Sequence, residues 1–173
     1  MRTLYSLFLT AFAVFLWCAV AFGETMVVPP ILPDPLRTPG DIDDAATMEK
    51  VCLSGYTGSV RSVSDKNRRQ VFSFYNINPA NGKFEVDHLI SLELGGSNDV
   101  KNLWPQSYTT VPWNAHVKDK LENRLHREIC DGIITITEAQ EAIRTDWIKT
   151  YCDKYDDMQE ECASYLKENK NEN

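Results

Sequence analysis

The sequence predicts an α+β fold: a β-hairpin with a long connection runs into an amphipathic helix, additional helices surround it, and disulfides stabilise the whole. Three observations carry that reading. In KFEVDHLISLEL, residues 83–94, Phe84, Val86, Leu89, Ile90 and Leu92 read as a strand running into a loop; Gly95, Gly96, Ser97, Asn98 and Asp99 are turn chemistry, and Asn102-Leu103-Trp104 can return as the second strand. Val117, Leu121, Leu125 and Ile129 recur every four residues, so one helix face is buried. Beyond the first 23 residues lie Cys52, Cys130, Cys152 and Cys162, an even number in a chain that reads as exported, which favours two disulfides over metal thiolates.

In chain order, residues 1–23 carry a secretory signal pattern. Arg2 precedes an apolar run from Leu4 to Phe22, and Ala21 and Gly23 put small residues three and one before the expected cut. Removal is expected rather than retention as an anchor, which places the mature protein outside the cytoplasm, secreted or periplasmic. The bulky Trp17 before Cys18 argues against a lipoprotein cleavage site. Residues 24–40, ETMVVPPILPDPLRTPG, hold five prolines and read as an extended linker or a strap lying on the domain. The folded domain is expected over 41–152, with 153–173 as an acidic C-terminal extension. About 150 residues after the signal suffice for one domain with a modest core.

Within that domain, VCLSGYTGSVRSVS (51–64) mixes Val, Thr and Tyr with glycine and predicts a short strand or irregular arm; Ser64 is a candidate cap for a helix over 65–75. After the hairpin, Asn114 is a plausible N-cap for AHVKDKLENRLHREIC (115–130), and Gly132 a plausible stop. A capping box at Thr137 and Gln140 announces a last helix, with Ala139, Ile143, Trp147 and Tyr151 on one stripe.

The formal charge is −7, yet Met48 to Cys152 holds 13 acidic and 13 basic residues, and the acidic excess lies at the ends. Net charge therefore neither supports nor excludes a phosphate-bearing partner. No Cys-x-x-Cys pair exists, which argues against a structural zinc. Four cysteines allow three connectivities, and spacing does not choose among them.

Asp87-His88, Gly95-Gly96 and Asn102-Leu103, followed by a polar-faced helix, resemble the HNH, or ββα-metal, endonuclease family. More closely, EVDHLISLELGG with NLWPQ and KDKLENRLHREICDG is similar to a subgroup of small exported HNH proteins that also carry an upstream GYT…VR segment. The resemblance covers residue 52 to about 150. It implies a ββα-metal hairpin-helix core, hydrolysis of phosphodiester bonds in DNA or RNA with little sequence specificity, 5′-phosphate products, nucleic acid as partner, and one Mg²⁺ or Mn²⁺. It also implies cysteine pairs: members of the subgroup carry cysteines resembling Cys52 and Cys130, which leaves Cys152 with Cys162 in the extension. The Cys-x-x-Cys-Asn segment usual in the family is absent, so the helix ligand stays open.

Elementary chemistry assigns the same residues. Phosphodiester cleavage needs a base for water, a cation for charge gathering on phosphorus, and a group that keeps the base in line. An imidazole near neutrality suits the first task, which falls to His88. Asp87 offers an anionic oxygen suited to Mg²⁺. In a regular strand it points away from His88, although a strand end can turn both toward one cleft. The resemblance implies that Asn102 props the loop and orients His88 across the hairpin. For the helix ligand, Asp119 is favoured and Glu122 is next, with His116 and Asn114 also open; Asn114 is more simply a cap. Plainer roles compete at each position. Lys118 and Glu122 at i,i+4 read as a solvated face, His126 as structural and Trp104 as core. Arg61, Lys66, Arg68 and Arg69 either bind phosphate or form an exposed basic face. The competing functional class is a non-catalytic nucleic-acid-binding or interaction module on the same scaffold.

Overall fold

The computed structural model describes residues 30–170. The signal pattern at 1–23, the start of the proline-rich stretch at 24–29, and 171–173 lie outside the described residues. Two short helices, α1 (Met48–Val51) and α2 (Tyr56–Val60), replace the strand or irregular arm expected over 51–64. The Thr47 side chain accepts from the Lys50 amide and starts α1. Both are about one turn long, too short to persist without tertiary anchors. Helix α3 (Asp65–Phe74) begins on Ser64 as expected, the hydroxyl accepting from the Asn67 amide at 3.1 Å.

Strands β1 (Phe84–His88) and β2 (Leu103–Ser107) pair antiparallel, with Glu85 opposite Gln106, Asp87 opposite Trp104 and His88 opposite Leu103. The alternation is regular to the end, so Asp87 and His88 lie on opposite faces of the hairpin. Val86 and Leu103 pack on Val71 of α3, which covers the His88 face. The other face meets α4 (Ala115–Cys130), capped by Asn114 as expected. The connection between the strands coils through two 3₁₀ turns, Leu92–Leu94 and Val100–Asn102.

Helices α5 (Ile136–Lys154) and α6 (Gln159–Asn169) complete, among the described residues, an α+β architecture of six α-helices and a two-stranded sheet. The capping box of α5 is Thr135 with Glu138, two residues before the expected Thr137 and Gln140. The Glu138 carboxylate accepts from the Thr135 amide and hydroxyl, whereas the Gln140 amide donates to the Leu94 carbonyl on the hairpin connection. Both predicted helical stripes face each other in the main core: Leu121, Leu125 and Ile129 against Ala139, Ile143, Trp147 and Tyr151, closed by Ile90 and Leu94. Trp113 sits edge-on to Trp147, Tyr151 and Tyr165, which draws α6 onto the same core.

The described part of the proline-rich stretch is a strap on the domain. Thr38 is buried and donates to the Leu103 carbonyl, the Asp34 amide donates to the Tyr75 hydroxyl, and Gly40 donates to the Lys101 carbonyl. Packing therefore begins before Asp41. No helix among the described residues is long and apolar enough to cross a membrane.

Cys52 is bonded to Cys130 and Cys152 to Cys162, the pairs that the resemblance implies. The first closes a separation of 78 residues and ties α1 to the end of α4; the second closes 10. In the chain-entropy description the long loop contributes about 4 kcal/mol and the short one about 3 at most. Replacing Cys52 and Cys130 together by Ser should therefore lower the urea midpoint more than replacing Cys152 and Cys162; the reverse order would contradict this account.

Candidate active site

His88 closes β1 with 2 % of its surface exposed. Its Nε2 lies 3.2 Å from Asn98 Oδ1. The Asn98 amide is held from both sides: Nδ2 donates to the Val60 carbonyl at 2.8 Å, and Oδ1 accepts from the Ser62 amide at 3.0 Å. Because Oδ1 can only accept, the imidazole proton resides on Nε2. Nδ1 then keeps its lone pair and has no hydrogen-bond partner among the described residues. Burial depresses the His88 pKa below its ordinary value, the nearby Asp87 charge offsetting only part of this, so the ring is neutral at neutral pH.

Asn102 does not reach His88. Its Oδ1 accepts from the Ile90 amide at 2.9 Å, and its Nδ2 donates to the carbonyls of Ile90 and Ser97, both at 2.9 Å. One fully buried amide thus closes the loop after His88 by standing in for backbone partners. The loop prop implied by the resemblance is present, but the histidine is oriented by Asn98 instead. Gly96 makes the closure possible: a Cβ there would sit 1.8 Å from the Ile90 carbonyl oxygen and 2.8 Å from Asn102 Nδ2.

Across the hairpin, Lys118 is fully buried rather than solvated. Its ammonium donates to Asp87 Oδ2 and to the His88 carbonyl, both at 2.7 Å, and to Glu122 Oε1. Burial works against the Lys118 charge, but the Asp87 and Glu122 carboxylates outweigh it, and its pKa is raised. Burial pushes Glu122 above the usual carboxylate range, with Lys118 only partly offsetting it. Glu122 is therefore committed to Lys118 and poorly suited to hold a metal.

Asp119 occupies the next position on α4 and is exposed. Partial burial raises its pKa and the Asp87 charge adds to this, while Lys118, His116 and Arg61 oppose. The Arg61 charge is felt at His88 as well as at Asp119. On the Asp87 face, the buried Gln106 side chain has neither amide atom partnered among the described residues. Asn114 is a cap, accepting from the Val117 amide and donating to the Thr110 carbonyl. His116 is exposed beside the Tyr108 ring.

A third histidine lies apart. His126 Nε2 faces the Val51 carbonyl at 2.9 Å and Cys130 Sγ at 3.5 Å. Cys52, His126 and Cys130 are close enough to resemble a metal site, but the sulfurs are bonded to each other and offer no thiolate.

Sequence reasoning missed Asn98 and Lys118. Asn98 reads as ordinary turn chemistry, and only the approach of residues 60–62 makes it a clamp. Lys118 carried a signal: it stands three residues before Leu121 and seven before Leu125, on the apolar stripe. Lys118→Met should strand Asp87 and Glu122 without their cation and cost about 3–5 kcal/mol in urea unfolding. A loss below about 1 kcal/mol would mean that the ammonium is not holding the two elements together.

Compared with known proteins, the chain matches no family model, no curated protein and no solved structure.

Proposed function

We propose that the chain is an exported, metal-dependent endonuclease that hydrolyses phosphodiester bonds of DNA or RNA with little sequence specificity. The observation that carries this reading is the neutral His88 ring at the end of β1, its proton fixed on Nε2 by Asn98 and its Nδ1 lone pair left free, next in the chain to Asp87. Nδ1 takes the proton from water as the water oxygen bonds to phosphorus, the bond from phosphorus to the 3′ oxygen breaks, and the departing 3′ oxygen takes a proton from solvent. Asn98 keeps the ring in that tautomer. Asn102 sets the loop that follows it, and Lys118 orients Asp87 through Oδ2 while leaving Oδ1 available. The two disulfides accord with an oxidising compartment outside the cytoplasm.

The donor set fits a hard divalent cation. Asp87 Oδ1 and the Asp119 carboxylate are oxygen donors without protein hydrogen bonds among the described residues, and the unpartnered Gln106 amide marks a polar environment on the Asp87 face. Asp87 and Asp119 would hold Mg²⁺ or Mn²⁺, which when bound supplies positive charge to the phosphoryl and departing oxygens.

His88→Ala should reduce plasmid cleavage by about 100-fold or more while leaving the urea midpoint near that of the parent. Undiminished cleavage by the folded variant would remove His88 as the base, and a non-catalytic binding module would then be the better reading. Because the pKa of His88 is lowered, its neutral form persists to more acid pH than a free imidazole; the acid limb of the rate profile should fall below the ordinary value of 6.5.

EDTA should abolish cleavage, and Mg²⁺ or Mn²⁺ should restore it, with little change in thermal stability. Asp119→Asn should raise the metal concentration for half-maximal rate by about tenfold or more, whereas Glu122→Gln should shift it far less. A larger shift for Glu122→Gln would exchange the two assignments.

A further inference from the structure

The distribution of unpaired charge suggests where a substrate strand lies. Lys118, Lys120, Arg124, Arg144, Lys149 and Lys154 each form an ion pair. Arg61, Lys66, Arg68 and Arg69 form none among the described residues, and all four are exposed; Lys50, Lys83, Lys101, Arg127, Lys167 and Lys170 also form none, but none of these stands with three other such cations in so short a stretch. At 100° per residue, Lys66 and Arg69 lie on the side of α3 opposite the buried Val71, whereas Arg68 lies on the flank nearer Val71. Asp65 is the one acid in the stretch 61–69. In a chain of charge −7, this is a concentrated positive strip.

Its position matters as much as its sign. Val60 and Ser62 hold Asn98, which holds His88, so Arg61 stands at the rim of the site and its charge reaches both His88 and Asp119. From there the strip runs onto α3, which lies along the hairpin.

We propose that Arg61, Lys66, Arg68 and Arg69 form the surface on which the phosphate backbone of a nucleic-acid strand docks, with Arg61 nearest the reacting phosphate and the α3 cations on the flanking backbone. This rests on the nuclease reading for the identity of the partner. Contacts of this kind position a strand without reading its bases, in keeping with little sequence specificity.

The test separates docking from chemistry by measuring binding in EDTA. With a fluorescently labelled DNA duplex over a salt series, Lys66→Gln combined with Arg69→Gln should weaken binding about tenfold at low salt and make the slope of log K against log salt shallower by about two. Lys120→Gln with Lys149→Gln removes the same formal charge from ion-paired positions and should leave the slope unchanged. Equal losses for both double variants, an unchanged slope for the α3 variant, or no binding by the parent protein would overturn the proposal. So would retained DNA affinity with lost binding to phosphatidylserine vesicles, which would assign the strip to a membrane surface. A chain that binds DNA through the strip yet hydrolyses neither plasmid nor bis(p-nitrophenyl) phosphate fails the nuclease reading alone.

Discussion

One ammonium group, kept ionised away from water, constrains everything around the hairpin. Lys118 has no exposed surface, and an unpaired charge there would cost several kcal/mol. Its three donors are met by Asp87, Glu122 and the His88 carbonyl, two side-chain carboxyl groups and one backbone oxygen. Directional partners of this kind tolerate less displacement than apolar packing does. Sliding α4 along β1 would break both contacts that cross to the strand, to Asp87 and to the His88 carbonyl, so the helix carrying Asp119 and the strand end carrying Asp87 and His88 share one relative position.

Around that fixed corner, side-chain amides do work that a regular sheet would leave to its backbone. The connection between the strands is too coiled to continue the ladder, and its polar groups need partners. Asn102 supplies them to Ile90 and Ser97, and the missing side chain at Gly96 lets the chain pass close enough. Asn98 plays the complementary part on the outer side, where Val60 and Ser62 fix its amide and it in turn fixes the ring of His88. The candidate site is thus assembled from four stretches distant in sequence: 60–62, 87–88, 98–102 and 118–119.

The N-terminal arm explains why the long disulfide bears on the site as well as on stability. Helices α1 and α2 are too short to hold themselves, and the Cys52–Cys130 bond anchors them to the end of α4. Since residues 60–62 clamp Asn98, the orientation of His88 depends on an arm that is covalently tethered at Cys52, just before α2. The strap over residues 34–40 acts similarly at the back of the hairpin, binding Leu103 and Lys101 through Thr38 and Gly40.

What the sequence by itself determined is whatever local periodicity and chemistry specify. The first hairpin strand and the buried stripes of α4 and α5 follow from spacing, because burial repeats with the geometry of each element, and the Ser64 and Asn114 caps follow from side-chain chemistry; the second strand was legible only at Leu103 and Trp104, since β2 runs on through Pro105 to Ser107. The cysteine pairing was legible through resemblance, not through spacing. Tertiary structure decided the rest. The arm over 51–64 became helical because its disulfide and its contacts with the hairpin connection outweigh the poor helix propensity of Gly, Val and Thr. Asn98 displaced Asn102 as the partner of His88, and Lys118 became buried rather than solvated, because both outcomes depend on which distant groups complete a hydrogen-bond set. A side chain's type fixes how many bonds it can make, but only the assembled fold fixes with whom.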